Sequence, residues 1–328
     1  MADPASPIRF RVRRLGSVAQ DLLAASGRGR IATVFKGSFY IESAGGLACL
    51  GNRSLGLGPL NAVTDAPLDT DWSALGLRPG ERCRANRNAV QVGAKFVFAL
   101  DHAQVWRPPP CPGGWQGETI GRSLERLERL AAARIPGEGL GQILLSPTAG
   151  RREAPVERTA REPVAGARAW LATAFADHRS AATAETGWVG RLAGLGPGLT
   201  PSGDDLLGGI MIALHGLGCR EAVDVLWSAV RACAAEAQNP ISTAHLAAAA
   251  EGQGSAAVHA LFHDLVRGSD GALAARLEAI ARIGHTSGWD ALAGVVTVLR
   301  AWLDWQAPVL VNPAVAGVAG VSATLQAQ

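Results

Sequence analysis

The chain has 328 residues, 48% of them hydrophobic and 18% charged, with a formal net charge of +3; this excludes a disordered chain and, at this length, suits two packed domains. Its cations are 29 arginines and two lysines (Lys36, Lys95) without a dense run, so nucleic-acid binding has little electrostatic support; the five cysteines (Cys49, Cys83, Cys111, Cys219, Cys233) form no C-x-x-C pair and indicate neither a disulfide framework nor a zinc knuckle. The opening MADPASPIRFRVRRLG is broken by proline and arginine before a signal-peptide core could form, and no apolar run reaches a bilayer-spanning length, which points to a cytoplasmic protein without a membrane partner.

In chain order, a short helix is expected near 18–25. Between 30 and about 100, short β-branched or aromatic runs alternate with glycine turns, as in IATVFKGSFYIESAGGLACLG and VQVGAKFVFAL, and read as antiparallel strands with a hairpin at Ala44-Gly45-Gly46. The prolines of RPPPCPGG, from Arg107 to Gly114, suit neither helix nor central strand and mark a boundary. A helix follows, with Ile120, Leu124, Leu127 and Leu130 on one face, and then a charged, proline-containing stretch at 151–163 reads as a connector. Alanine- and leucine-rich helices are expected at 165–177, 203–217, 220–238, 242–251, 255–267, 272–283 and 289–305. The fold class is therefore α+β: a β-rich domain (1–112), antiparallel and barrel-like, a connector with one helix (113–164), a helical domain (165–306), and a tail (307–328).

The chemistry concentrates in GLGPGLTPSGDDLLGG, Gly194 to Gly209. Gly196 and Gly198 let a ligand approach the backbone, and Thr200 or Ser202 can cap the following helix. With Ser202 as N-cap, Asp205 falls at the third helical position, and the free N–H groups of that turn face the loop, where anions are readily bound. Asp204 and Asp205 together repel a bare phosphate, so the better ligand offers a carboxylate or carbonyl to the N–H groups and an amide to one aspartate. The grammar recurs 85 positions later: Ser202-Gly203-x-Asp205-x-Leu207-x-Gly209 matches Ser287-Gly288-x-Asp290-x-Leu292-x-Gly294, inside GHTSGWDALAG. The simplest account is that the two glycine faces pack together and bring both helix starts to one pocket. Two well-capped helices without a ligand would explain one serine at each start, but not three loop glycines, a threonine and paired aspartates.

Other signals carry less. His259 and His263 lie one turn apart beside Asp264, a spacing that can hold a metal, but no H-E-x-x-H or third ligand accompanies them; a polar helix face is the plainer account, and neither a metal nor a cofactor is expected. His285, just before the second helix start, is a candidate proton donor or a capping residue. His215 and His245 suit core or interface positions. GRGRIA at 27–32 precedes a strand instead of following one, which disqualifies it as a dinucleotide fingerprint, and no Walker loop is present. GNRSLGLGPLNA, ending at Asn61 and Ala62, echoes the glycine-proline loop and reads either as a facing wall of the pocket or as an ordinary turn.

GLGPGLTPSGDD, with NPISTAHLAAAAEG, IGHTSGWDALAG and the N-terminal VFKGSFYI, GGLACLG and GLGPLN, resembles the family named for the AllH subunit of oxamate carbamoyltransferase, over most of the chain. That resemblance implies a part in a multi-subunit enzyme, with other subunits as partners, that exchanges a carbamoyl group among carbamoyl phosphate, oxamate and oxalurate in purine and allantoin breakdown. If carbamoyl transfer occurs in the pocket at the helix starts, backbone N–H groups near Ser202 and Ser287 would stabilise the developing oxyanion, Asp204 or Asp205 would hold the amide, and His285 is the candidate proton donor by position, which makes these three side chains the catalytic candidates. Substrate would be held at Gly196, Gly198, Thr200, Ser202, Gly203, Thr286, Ser287, Gly288 and Asp290, with Arg191, Arg53 or Asn61 meeting a phosphate, carboxylate or amide. The S-T-R-T phosphate signature of ordinary carbamoyltransferases is absent. A non-catalytic assembly subunit and a metal-dependent hydrolase are the competing readings.

Overall fold

The computed structural model describes residues 6–25, 27–145, 153–177 and 184–311. The expected tail falls outside this range from residue 312. The chain divides into two compact units, Met1–Pro108 and Pro109–Gln328.

The first unit is a closed β-barrel. Its strands are β1 (Ile8–Gly16), β2 (Gly27–Val34), β3 (Ser38–Ser43), β4 (Gly46–Gly51), β5 (Asn61–Thr64), β6 (Arg82–Asn86), β7 (Ala89–Val92) and β8 (Phe96–Ala99), in the order β5-β4-β3-β2-β6-β7-β8-β1, with β1 closing onto β5. A ninth strand, β9 (Gln104–Trp106), adds to the end of β1, and helix α1 (Ser17–Ala24) follows β1 directly. Closure removes the free edges that an open sheet of this size would expose. The sheet is mixed, not purely antiparallel: β1 runs parallel to β8 and β9, and β4 runs parallel to β5. Period-two alternation shows which side chains face inward but not which way a partner strand runs, so those pairings had no signature. The β3–β4 hairpin forms as expected, Ser43 pairing with Gly46 around Ala44-Gly45. Inside, Trp72 from the β5–β6 connection is fully buried, its ring 5.2 Å edge-on from Phe39 and 5.7 Å from Phe98.

The second unit is helical: α2 (Gly117–Ala131), a 3-10 turn (Gly141–Leu144), α3 (Pro155–Ala176), α4 (Gly187–Leu192), α5 (Ser202–Gly216), α6 (Arg220–Ala237), α7 (Pro240–Ala250), α8 (Ala256–Arg267), α9 (Leu273–Ala281) and α10 (Ser287–Val311). The stretch read as a connector is helical from Pro155 onward. Proline in a first turn loses no hydrogen bond, and Pro163 is carried inside the helix on its buried face. Helices α5 and α10 form the centre, and both are apolar nearly all round: Leu206, Leu207, Ile210, Met211, Ala213 and Leu214 on one, Leu292, Ala293, Val295, Val298 and Leu299 on the other, are fully buried.

Candidate functional site

The two central helices meet at their glycines. A Cβ added to Gly209 would lie 1.9 Å from the Ala291 carbonyl oxygen, and one added to Gly294 would lie 2.1 Å from that of Leu206. Residue 209 meets a carbonyl three positions before 294, and residue 294 one three positions before 209, so the crossing is two-fold in its local geometry. Only glycine admits this approach. Gly208, in contrast, has only an ordinary 3.6 Å contact with the Ala249 side chain. At the helix starts the pairing recurs: a Cβ at Gly203 would meet the Leu192 carbonyl oxygen at 1.9 Å, and one at Gly288 that of Ile280 at 2.2 Å. Internal packing therefore already accounts for these two glycines.

The same two-fold relation brings the polar groups together. Thr200 Oγ1 and Ser287 Oγ lie 2.9 Å apart. The Ser287 hydroxyl is directed at Asp205, and the Ser202 hydroxyl at Asp290, so each serine serves the carboxyl group of the other motif. This crossing corrects the expected cap. Pro201, extended and without a side-chain cap bond, is the N-cap, and Ser202 is the first helical residue, its hydroxyl engaged across the interface instead of with its own helix. The Gly203 N–H donates to Leu195 O (2.9 Å) and the Gly288 N–H to Ile283 O (3.1 Å), so both starts fold their approach loops back in the same way.

The three carboxyl groups differ in their surroundings. Asp204 is buried and accepts from the Gly194 N–H (2.7 Å) and the Ser242 hydroxyl (2.5 Å); it ties the glycine loop to the start of α7. Asn239 completes the tie by donating from Nδ2 to Leu199 O at 2.9 Å. Asp290 is fully buried, and its Oδ1 accepts from the Leu140 N–H at 2.5 Å; a side chain on Gly139 would strike that same oxygen. Asp205 is partly exposed as a residue, although its Oδ2 is sealed from solvent and lacks a hydrogen-bond partner among the described residues. Burial drives the Asp205 pKa well above the ordinary carboxylate range; the Ser287 and Thr200 hydroxyls oppose this, while the charges of Asp290 and Asp204 add to it. Asp290 is raised too, mainly by burial, against the Leu140 N–H and the Ser202 and Thr286 hydroxyls. The arrangement favours the protonated form of these carboxyl groups more than water would, beside half-buried hydroxyls, which suits hydrogen-bond donation to a carbonyl or proton transfer with an amide nitrogen.

Two sequence models of one family match the chain. The one described as oxamate carbamoyltransferase subunit AllH matches residues 192–299, which include both helix starts, and the one described as the AllH family N-terminal domain matches residues 11–105, the barrel. The chain belongs to the AllH family. That family is named for a subunit of oxamate carbamoyltransferase, an enzyme of more than one subunit. The chain matches no curated protein and no solved structure.

Of the residues singled out from sequence in this AllH-family chain, Thr200, Ser202, Asp205, Thr286, Ser287 and Asp290 gather at the paired starts. Gly196, with φ of +108°, lays the loop over Ser202, while Gly198, with φ of +103°, has open space beside it. His285 points instead to Glu138, at 2.8 Å, both being exposed. Arg191 forms a two-pronged pair with Glu162 at 2.7 and 2.9 Å on the surface of the helical unit. Asn61 closes its own turn in the barrel, donating to Gly56 O at 2.7 Å. His259 Nε2 accepts from the Gly254 N–H (3.1 Å) and Asp264 pairs with Arg276 (2.8 Å). Among the described residues, no three His, Cys, Asp or Glu side chains are placed to hold one metal ion, and no helix is long and apolar enough to cross a membrane.

Sequence reading missed the loop Gly137-Glu138-Gly139-Leu140-Gly141, whose backbone holds Asp290, and the pair Asn239 and Ser242, which hold the first loop. The loop carries a legible echo, since Gly137-x-Gly139-x-Gly141 repeats the glycine spacing of Gly194-x-Gly196-x-Gly198.

Proposed function

We propose that the paired starts of α5 and α10 bind the small carboxylate-amide substrate of a carbamoyltransferase, with Asp205 as the proton-transfer group. The observation that carries this reading is the contrast among the three carboxyls. Asp204 and Asp290 each accept a backbone N–H, whereas Asp205 faces only hydroxyls and like charges; Asp205 and Asp290 each keep one buried oxygen without a partner among the described residues. The raised pKa of Asp205 shifts it towards the protonated form relative to an ordinary carboxyl, which suits proton transfer and lessens repulsion of an anionic substrate. In the direction that forms carbamoyl phosphate, a hydrogen phosphate oxygen bonds to the ureido carbon of oxalurate, the bond from that carbon to the oxamate nitrogen breaks, the nitrogen takes the Asp205 proton, and the proton lost by the hydrogen phosphate restores the Asp205 carboxyl. The opposite direction returns that proton to the carboxylate. The N–H groups of Gly203, Asp205, Gly288 and Asp290 are already bonded to backbone carbonyls, so the remaining first-turn N–H groups of α5 and α10, those of Ser202, Asp204, Ser287 and Trp289, would face the charge that develops on the ureido oxygen, a role suited to helix N-termini.

Oxamate enters this reading through the family, and the setting we propose for it is the cytoplasmic breakdown of purine-derived ureides such as allantoin. Calorimetry of the purified chain with carbamoyl phosphate, oxamate and oxalurate tests the reading. Binding of at least one of them, lost in Asp205→Ala and Ser287→Ala, is the expected result. Stoichiometric capture of partner subunits with no ligand bound, alone or in the assembly, would make this chain an assembly subunit instead.

A further inference from the structure

The barrel carries a charged surface that the helix starts do not use. Strands β2 and β6 pair antiparallel with Arg28 opposite Arg84 and Arg30 opposite Arg82. All four side chains are exposed on the outer face, while Cys83 and Ile31 alternate inward. Residues directly opposite in such a pair have Cβ atoms about 5 Å apart, and same-face neighbours along a strand lie about 7 Å apart. Four guanidinium stems thus rise from the corners of a small rectangle. Like charges directly opposed weaken a sheet, and here the opposition occurs twice in succession on neighbouring positions. Of these four arginines, only Arg30 has an ion-pair partner among the described residues, Glu42 at 2.7 Å. Glu42 is also the sole acid lining the groove of about 830 Å³ that opens over this face, whose floor includes Gly29, Gly80 and Gly93 and whose wall includes Gln91. Such a volume falls in the range of small-molecule sites. The lining residues therefore carry four positive charges and one negative, with a second carboxylate, Glu81, beside Gly93 at the edge of the groove.

We infer that this groove is a binding site for a small molecule bearing two oxyanionic groups, phosphates or carboxylates, one seated on the Arg28–Arg84 pair and the other near Arg82 and Arg30. Guanidinium forks match both kinds of oxyanion in two-pronged geometry, and two groups a few ångströms apart match the rectangle better than a single charge. The site is independent of the reading given to the helix starts.

The test uses the full chain with inorganic phosphate, pyrophosphate and succinate as probes, by calorimetry and thermal melting, with sodium chloride holding ionic strength constant. Pyrophosphate or succinate is expected to bind saturably and raise the melting temperature, and inorganic phosphate to bind more weakly; whichever of the two doubly anionic probes binds tighter identifies the charged group preferred. The double variant Arg28→Gln, Arg84→Gln should weaken that binding by at least about tenfold, while Arg14→Gln, on β1, leaves it unchanged. Without any probe, Arg84→Gln should melt no lower than the natural chain, because it removes one opposed like-charge pair; this shows that lost binding is not lost folding. Absence of saturable binding by all three probes, binding undiminished in the double variant, or capture of an acidic protein without small-anion binding would each overturn the proposal.

Discussion

The helix starts at Ser202 and Ser287 share a motif, a crossed serine–aspartate pairing and a common glycine contact, yet their aspartates differ. Asp290 is fully buried and fixed by the Leu140 N–H, whereas Asp205 is partly exposed and faces Thr200, Ser287 and the neighbouring acid Asp204. A two-fold scaffold has thus placed one carboxyl where a backbone N–H holds it and its counterpart where only hydroxyls and neighbouring acids face it. A shared motif fixes where a side chain begins; the loop laid over it decides what that side chain does.

The largest expected effect tests the shared part of this comparison. Gly209→Leu and Gly294→Leu each drive a side chain into a backbone carbonyl and should cost about 3 kcal/mol or more, enough to remove soluble folded protein. Soluble expression with circular dichroism should show both variants equally affected; a folded Gly209→Leu protein beside an unfolded Gly294→Leu protein would break the equivalence. The next effect separates the two aspartates. Asp290→Ala strands the buried Leu140 N–H and should lose about 1–3 kcal/mol in denaturant unfolding, whereas Asp205→Asn, which keeps an acceptor for Ser287 and Thr200, should lose none at neutral pH.

The pH dependence sharpens the contrast further. Burial lowers the His259 pKa to about 4, so its neutral form is required by the fold, consistent with Nε2 accepting the Gly254 N–H. The unfolded chain takes up that proton below the ordinary histidine range, so this contribution is present above about pH 6.5 and is lost as pH falls towards 4, by about 2 kcal/mol at about pH 5; His259→Gln should flatten the slope. Asp205 has the opposite sign. Its raised pKa means that the folded state resists ionisation, so its effect is nil below the ordinary carboxylate range and becomes destabilising as pH rises through the folded pKa. Melting of Asp205→Asn should therefore match the natural chain in acid and equal or exceed it at neutral pH, the smallest of these effects.

The two helix starts were legible in sequence because they are local: one string of residues sets each turn, and the repeat at Gly209 and Gly294 foretold their packing. The β-rich and helical halves were legible for the same reason, through alternation and helical spacing. What stayed hidden depends on partners distant in the chain. Leu140 reaches Asp290 across 150 positions, β1 pairs in parallel with β8, some 88 positions further along the chain, and Ser202 bonds to the opposite motif instead of capping its own helix. Pro155 and Pro163 misled for another reason. Proline excludes helix on average, but the first turn tolerates it, and the buried face of α3 carries the second.

The most direct measurement of the division between Asp205 and Asp290 is carbamoyl transfer by the assembled enzyme containing Asp205→Asn, read alongside the melting temperature of the same chain at neutral pH. The account predicts activity lower by about 100-fold or more with melting unchanged or raised. Full activity, or a loss of stability like that of Asp290→Ala with activity per folded molecule retained, would contradict it.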